Sequence, residues 1–180
     1  MLTVPPERMS ASDRLAHDTI TDVHRAWLAS LPLTLELADG VLAFHGSPTD
    51  DLTYLLETVE EDGARPATHG EVLDRLGEEA DRPLLLCGHT HLQRAMRLPT
   101  GATVGNPGSV GWPAYADDQP YPHVMEAGTP HARYAVVVDD DTGQWEVAFR
   151  EVTYDWEHAA GVAEGNSRSD VARALRTGRR

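Results

Sequence analysis

The stretch Leu84-Leu85-Leu86-Cys87-Gly88-His89-Thr90-His91 decides how this chain is read. The apolar run Leu84 to Cys87, bounded by Pro83 and Gly88, has the length and composition of a buried strand. Gly88 lets the backbone turn sharply where that strand ends. His89 and His91 then stand at the strand's carboxyl end, where open α/β sheets build their sites. Imidazole is the commonest protein metal ligand, so the pair reads first as part of a metal centre. A bare His-x-His is a short signal. Two further stretches lengthen it. Downstream lies Gly105-Asn106-Pro107-Gly108-Ser109-Val110-Gly111, and upstream Leu42-Ala43-Phe44-His45-Gly46-Ser47-Pro48, a second apolar run that delivers a histidine into a loop.

Composition narrows the function classes. A chain of 180 residues with 41% hydrophobic content can bury a sizeable core as one globular domain. The formal net charge is −14, with 29 acidic against 15 basic residues, and every basic residue is Arg. Phosphate contacts need Lys and Arg, so nonspecific binding to nucleic acid or to an anionic membrane is not expected. A phosphorylated substrate would need a local attractor, such as bound metal cations. The single Cys87 permits no intrachain disulfide and no thiolate-rich zinc site; it reads as a small buried strand residue. No apolar run is long enough to span a bilayer. The N-terminus lacks the basic region and apolar core of a signal peptide, which makes the cytoplasm the expected location.

Along the chain, residues 1–9 read as an irregular lead-in, with Pro5-Pro6 opposing helix. Residues 10–31 are predicted helical, with Thr21 capping a second helix after a break. Leu33 to Leu37 alternates as a strand, Asp39-Gly40 is a hairpin turn signal, and Val41 to Phe44 is the next strand. Leu52, Leu55, Leu56 and Val59 recur at helical spacing, which predicts a helix over 50–60. Thr68-His69-Gly70-Glu71 has capping-box spacing, so a helix is predicted from there to about Ala80. Strands are predicted at 84–87 and 102–104. Residues 112–131 read as a long loop rich in Pro, Asp and Tyr. A hairpin is predicted from 133–138 and 144–152 around Asp139-Asp140-Asp141-Thr142-Gly143, and short helices at 155–163 and 169–177. Alternating helices and strands closing on an antiparallel hairpin predict a layered α/β sandwich.

The Gly88-His89-Thr90-His91 loop, the Asn106-Pro107-Gly108-Ser109-Val110-Gly111 turn, the His45-Gly46-Ser47-Pro48 loop and His131-Ala132-Arg133-Tyr134 together resemble the calcineurin-like metallophosphoesterases, in their branch of small bacterial enzymes. The resemblance runs from about Met9 to Val152 and implies an α/β fold, a partial layered α/β/β/α sandwich, in a single domain over 1–180. The family's opening Asp-x-His, Gly-Asp and Gly-Asn-His motifs have no match at a strand end; Asp22-Val23-His24 lies in a predicted helix. The chain therefore resembles about the C-terminal two-thirds of such a domain, apparently without its N-terminal part.

What the resemblance implies is hydrolysis of a small phosphoester by water activated between two divalent ions, Mn, Fe, Zn or Ni, roughly 3.5 to 4 Å apart. Carried over by motif, His45 and His89 match ligands of one metal and His91 a ligand of the other. The bridging carboxylate and the proton donor belong to the unmatched motifs, so the catalytic acid is unknown here and the chain may hold one ion or none. The other arrangement open to three imidazoles is a single Zn²⁺ with an open position. A noncatalytic fragment or binding module of the same fold is the alternative reading. Arg94 is a candidate for facing a phosphate, against a role as a solvated strand partner. Asn106 is a candidate substrate contact, against a tight turn beside the site. Trp112, Tyr115 and Tyr121 are candidates for shaping a pocket, whereas His123 and His131 read as surface or structural residues. His17, His24, His69 and His158 receive no role, and Asp117-Asp118 reads as a solvated turn. His45, His89 and His91 are expected to converge in space. Without its opening strands the sheet is expected to expose an apolar face and to favour self-association and poor cooperativity.

Overall fold

The structure, a computed structural model, describes residues 5–140 and 142–180. They divide into two compact units, residues 1–32 and 33–180. Asp141, part of the expected Asp-rich turn, and residues 1–4 of the expected lead-in lie outside the described residues.

In the first unit a short 3-10 turn, Pro6–Arg8, precedes helices α1 (Ala11–Thr19) and α2 (Asp22–Ser30). Ser10 caps α1 by accepting from the Asp13 N–H. Ile20 ends α1, and Thr21 starts α2 through a capping box with His24. This satisfies main-chain N–H groups that a helix start leaves unpaired. The break and the cap fall where the sequence predicted them. Both helices keep every residue at least partly exposed, with Val23 and Trp27 prominent among the exposed apolar side chains.

The second unit is built on a five-stranded mixed sheet in the order β1-β2-β5-β7-β6. Its strands are β1 (Thr34–Ala38), β2 (Val41–Phe44), β5 (Leu84–Leu86), β6 (Gln93–Arg97) and β7 (Thr103–Pro107). The three inner strands, β2, β5 and β7, are parallel, and both outer strands pair antiparallel to them. Between β2 and β5 lie the hairpin β3 (Glu57–Glu60) and β4 (Gly63–Pro66) and helix α3 (His69–Leu76), followed by a 3-10 turn, Gly77–Asp81. After β7 come two ribbons, β8 (Ala114–Asp117) with β9 (His123–Glu126) and β10 (Ala132–Asp139) with β11 (Trp145–Val152). Helices α4 (Trp156–Gly165) and α5 (Ser169–Thr177) close the chain and pack on each other through Ala160, Ala172 and Leu175.

Side chains alternate across a strand, so each inner strand serves two layers. Leu42, Phe44, Leu85, Cys87 and Val104 point to one face and form a core with Val72 and Leu76 of α3 and with Leu55 and Leu56. Each such aliphatic side chain contributes about 1.5–3 kcal/mol on burial. The opposite face receives β10 and β11. Gly105 meets Val147, and Gln93 donates from Nε2 to the carbonyls of Tyr134 and Arg150. The layers are thus helix, sheet and ribbon, the mixed α/β sandwich that the sequence predicted. The outward stripe of β10 and β11, with Tyr134, Val136, Val138 and Val152, is exposed, as are Leu35 and Leu37 of β1. No helix among the described residues is long and apolar enough to cross a membrane.

Two predicted elements differ. The helix expected over 50–60 is irregular as far as Leu56 and then becomes β3. Leu55, Leu56 and Glu57 are all buried in succession while Leu52 is exposed, a run that a single helical stripe does not produce. The two-residue turn Glu61–Asp62 before Gly63 sets the β3–β4 register instead. The long loop over 112–131 contains β8 and β9. The edge strand β6 had no clear sequence signal, because its residues are mostly half-exposed polar ones.

Candidate functional site

His45 leaves β2, and His89 and His91 leave β5, at the carboxyl ends of two adjacent parallel strands. The Gly88 N–H donates to the His45 carbonyl at 2.8 Å and ties the two loops together. The rings of His45 and His89 stand 4.9 Å apart, centre to centre. The three histidines that the sequence nominated therefore share one end of the sheet.

The loop after His45 is closed by lack of a side chain. A Cβ on Gly46 would sit 2.7 Å from the main-chain carbon and oxygen of Asp51, inside any tolerable contact. Ser47 completes the turn, with its N–H donating to the Asp50 carbonyl at 2.7 Å.

His89 and His91 both adopt positive φ, 67° and 63°. Residues with a Cβ pay roughly 1–2 kcal/mol for a left-handed backbone. Such conformations persist only where the surroundings impose them, and they concentrate at functional sites. Asn106, 1% exposed, imposes much of it from the neighbouring strand β7. Its Nδ2 donates to the Gly88 carbonyl at 2.7 Å and to Thr90 Oγ1 at 2.9 Å, and its Oδ1 accepts from the Gly108 N–H. Of the two readings offered by the sequence, this arrangement matches the turn beside the site: both Asn106 donors are spent on the protein.

Each ring of the pair is also oriented. His91 Nδ1 lies 2.7 Å from the Trp112 carbonyl, and His89 Nε2 lies 3.1 Å from the Leu52 carbonyl. A carbonyl can only accept, so these nitrogens carry the protons. The opposite nitrogens, His91 Nε2 and His89 Nδ1, are left with lone pairs, the usual arrangement of a metal-binding imidazole. Burial, followed by the nearby His45 ring, lowers the His89 pKa below the ordinary imidazole value. Burial also lowers that of His91. Both rings are therefore held neutral, the form that ligates.

The donor chemistry suits a divalent transition metal, but the ligand count falls short. Among the described residues, no group of three or more His, Cys, Asp or Glu is arranged to hold a metal ion.

A hydrogen-bonded relay lies behind His89. His123 Nδ1 faces the Tyr121 carbonyl at 2.8 Å and must donate to it, so His123 Nε2 accepts from the Tyr54 hydroxyl at 3.0 Å. Tyr54 in turn accepts from Tyr115 at 2.8 Å, and the Tyr115 hydroxyl also lies 3.3 Å from the His89 carbonyl. The Tyr54 ring packs edge-on against His89. Burial raises the pKa of both tyrosines, so they stay protonated as donors. His123 is only 6% exposed, which makes it a structural rather than a surface histidine. The sequence reading missed its link to the site, since Tyr54 is 69 positions away. The expected role of Tyr115 near the pocket is met through this relay, and Trp112 packs near both His91 and Tyr115. Tyr121 enters only through its main chain. Arg94 Nε donates to buried Glu57 at 2.7 Å, which ties the side chain to β3.

No protein-family model and no curated protein matches the chain. Among solved structures it is similar to a metallophosphoesterase from Sphaerobacter thermophilus, with 20% identity over 99% of this chain and 71% of that one, at a TM-score of 0.64. It is also similar to a hypothetical protein from Pyrococcus horikoshii, with 18% identity over 98% of this chain and 68% of that one, at a TM-score of 0.62. The chain has the metallophosphoesterase fold that its histidine loops suggested.

Proposed function

We propose that this chain carries the imidazole share of a divalent metal centre and that the complete centre hydrolyses a small phosphoester. The observation that carries this reading is the pair of histidines at positive φ, each anchored through one ring nitrogen to a main-chain carbonyl. Strain of that kind is retained where the ring position matters more than stability. The metallophosphoesterase fold supports this reaction class. Bound divalent ions would polarise phosphoryl oxygens and lower the pKa of water. The chain's own contribution is placement: Asn106 fixes the loop, Trp112 and Leu52 fix the tautomers, and His45 approaches from the neighbouring strand.

A second reading, a noncatalytic binding module of the same fold, is favoured by the lack of a three-ligand group among the described residues. One experiment separates the two. The purified chain is titrated with Zn²⁺ and Mn²⁺ by calorimetry and then assayed with an aryl phosphate monoester and diester. The proposal expects binding that His89→Ala weakens at least tenfold, with at most weak metal-dependent turnover, which the same variant removes. Binding without turnover supports the binding module. Equal metal affinity in wild type and His89→Ala contradicts both.

A further inference from the structure

A cavity of about 530 Å³ opens beside His89, between the segment that precedes β3 and the β8–β9 ribbon. Its volume lies within the range that holds small organic ligands, roughly 300–1,000 Å³. Leu52, Val59 and Pro120 give it apolar walls, and Tyr54 and Asp117 line it near His89.

Its cationic donor is committed to the protein. Arg75 reaches the cavity, but its Nη1 donates to the carbonyls of Leu55 and Glu57, and its Nη2 donates to Thr58 Oγ1. Glu57 also lines the cavity and is 2% exposed. Its Oε1 accepts from Arg94, while its Oε2 is buried with no hydrogen-bond partner among the described residues. A buried polar atom left unpaired costs about 1–3 kcal/mol, more when charged, so native structures rarely keep one without a use. Asp117 adds a second carboxylate to the lining, from the β8–β9 side.

We infer that this cavity receives the organic group of the phosphoester and that Glu57 Oε2 accepts a hydrogen bond from an N–H on that group. The phosphate end of this placement rests on the function proposed above; the cavity and its unpaired acceptor do not. Glu57 is thus a specificity-determining residue, selecting phosphoesters whose organic part bears an ammonium or an amide-like N–H over those with none.

The test uses probes that carry no phosphate and need no metal, so its failure is separate from failure of the metal-centre reading. Benzylamine, benzyltrimethylammonium, benzamide and N,N-dimethylbenzamide are titrated into the wild-type chain. Binding is followed by NMR at the Val59 methyls and the Tyr54 ring. The N–H-bearing member of at least one pair should bind at least tenfold more tightly than its methylated partner. A preference within the amine pair names an ammonium source, and one within the amide pair a neutral source. Glu57→Gln should reduce the preference to less than threefold. The wild-type comparison stands even if that variant, which disturbs Arg94, does not fold. Methylated probes that bind as tightly as their N–H counterparts, or no shift at Val59 and Tyr54, would overturn the inference.

Discussion

The side-chain amide of Asn106 donates to the main-chain carbonyl of Gly88 across 2.7 Å, from one parallel strand to the loop that ends the next. This bond fastens the His89–His91 loop to the sheet. Asn106→Asp keeps the shape and one oxygen but sets an acceptor against the Gly88 carbonyl, while the Thr90 hydroxyl can turn to donate. Loss of about 1–3 kcal/mol of stability is expected, since a buried carboxylate oxygen then faces the Gly88 carbonyl oxygen with no proton between them. Urea denaturation of the variant checks it; an unchanged midpoint would remove Asn106 from the loop's support.

His91 tests the strain directly. His91→Gly and His91→Ala both remove the ring and its bond to Trp112, but only glycine relaxes at a φ of 63°. The glycine variant should be the more stable by about 1 kcal/mol, despite glycine's usual entropic penalty. The two melting temperatures decide it, and an equal or lower value for glycine would show that the backbone carries no strain there.

The relay predicts coupling. Tyr54→Phe leaves His123 Nε2 buried without a donor, and His123→Leu leaves the Tyr54 hydroxyl without its acceptor. Each should cost about 1 kcal/mol. The double variant should cost less than the sum by at least about 0.5 kcal/mol, because both singles break the same bond. Strict additivity in a double-mutant cycle would mean that the two side chains act independently.

Much of the fold was legible where local signals and tertiary packing agree. Val41 to Phe44 and Leu84 to Leu86 are apolar runs bounded by turn residues, and both are inner strands. Thr68 with Glu71 forms the capping box that its spacing announced. Leu52, Leu55, Leu56 and Val59 misled, because helical spacing competed with the hairpin turn after Glu60, and packing chose the hairpin. The histidine positions were legible from their place after apolar runs. Their supports were not: Leu52, Trp112 and Tyr115 reach the ring or main chain of His89 and His91 from distant segments, and no local pattern marks such contacts.

The lowered pKa values of His89 and His91 set a pH dependence. Unfolded imidazoles take up protons as the pH falls below about 6.5, whereas the folded rings resist protonation. In that window the unfolded state binds more protons, so stability falls as the pH is lowered from about 7 toward 5 and is fully present above it. Thermal melts across this range should show the decline, and His91→Gln should flatten it. A slope unaffected by His91→Gln would assign the dependence to other groups.

The central claim is that His89 and His91 are poised beside His45 as neutral metal ligands with defined tautomers. Long-range ¹H–¹⁵N NMR of the imidazole rings, recorded before and during titration with Zn²⁺, tests it most directly. The account predicts His91 protonated at Nδ1 and His89 at Nε2 before metal is added. Zn²⁺ should then shift His91 Nε2, His89 Nδ1 and a nitrogen of His45, with the other histidines unchanged. The opposite tautomers, or a titration that moves other histidines and leaves these three unmoved, would contradict it.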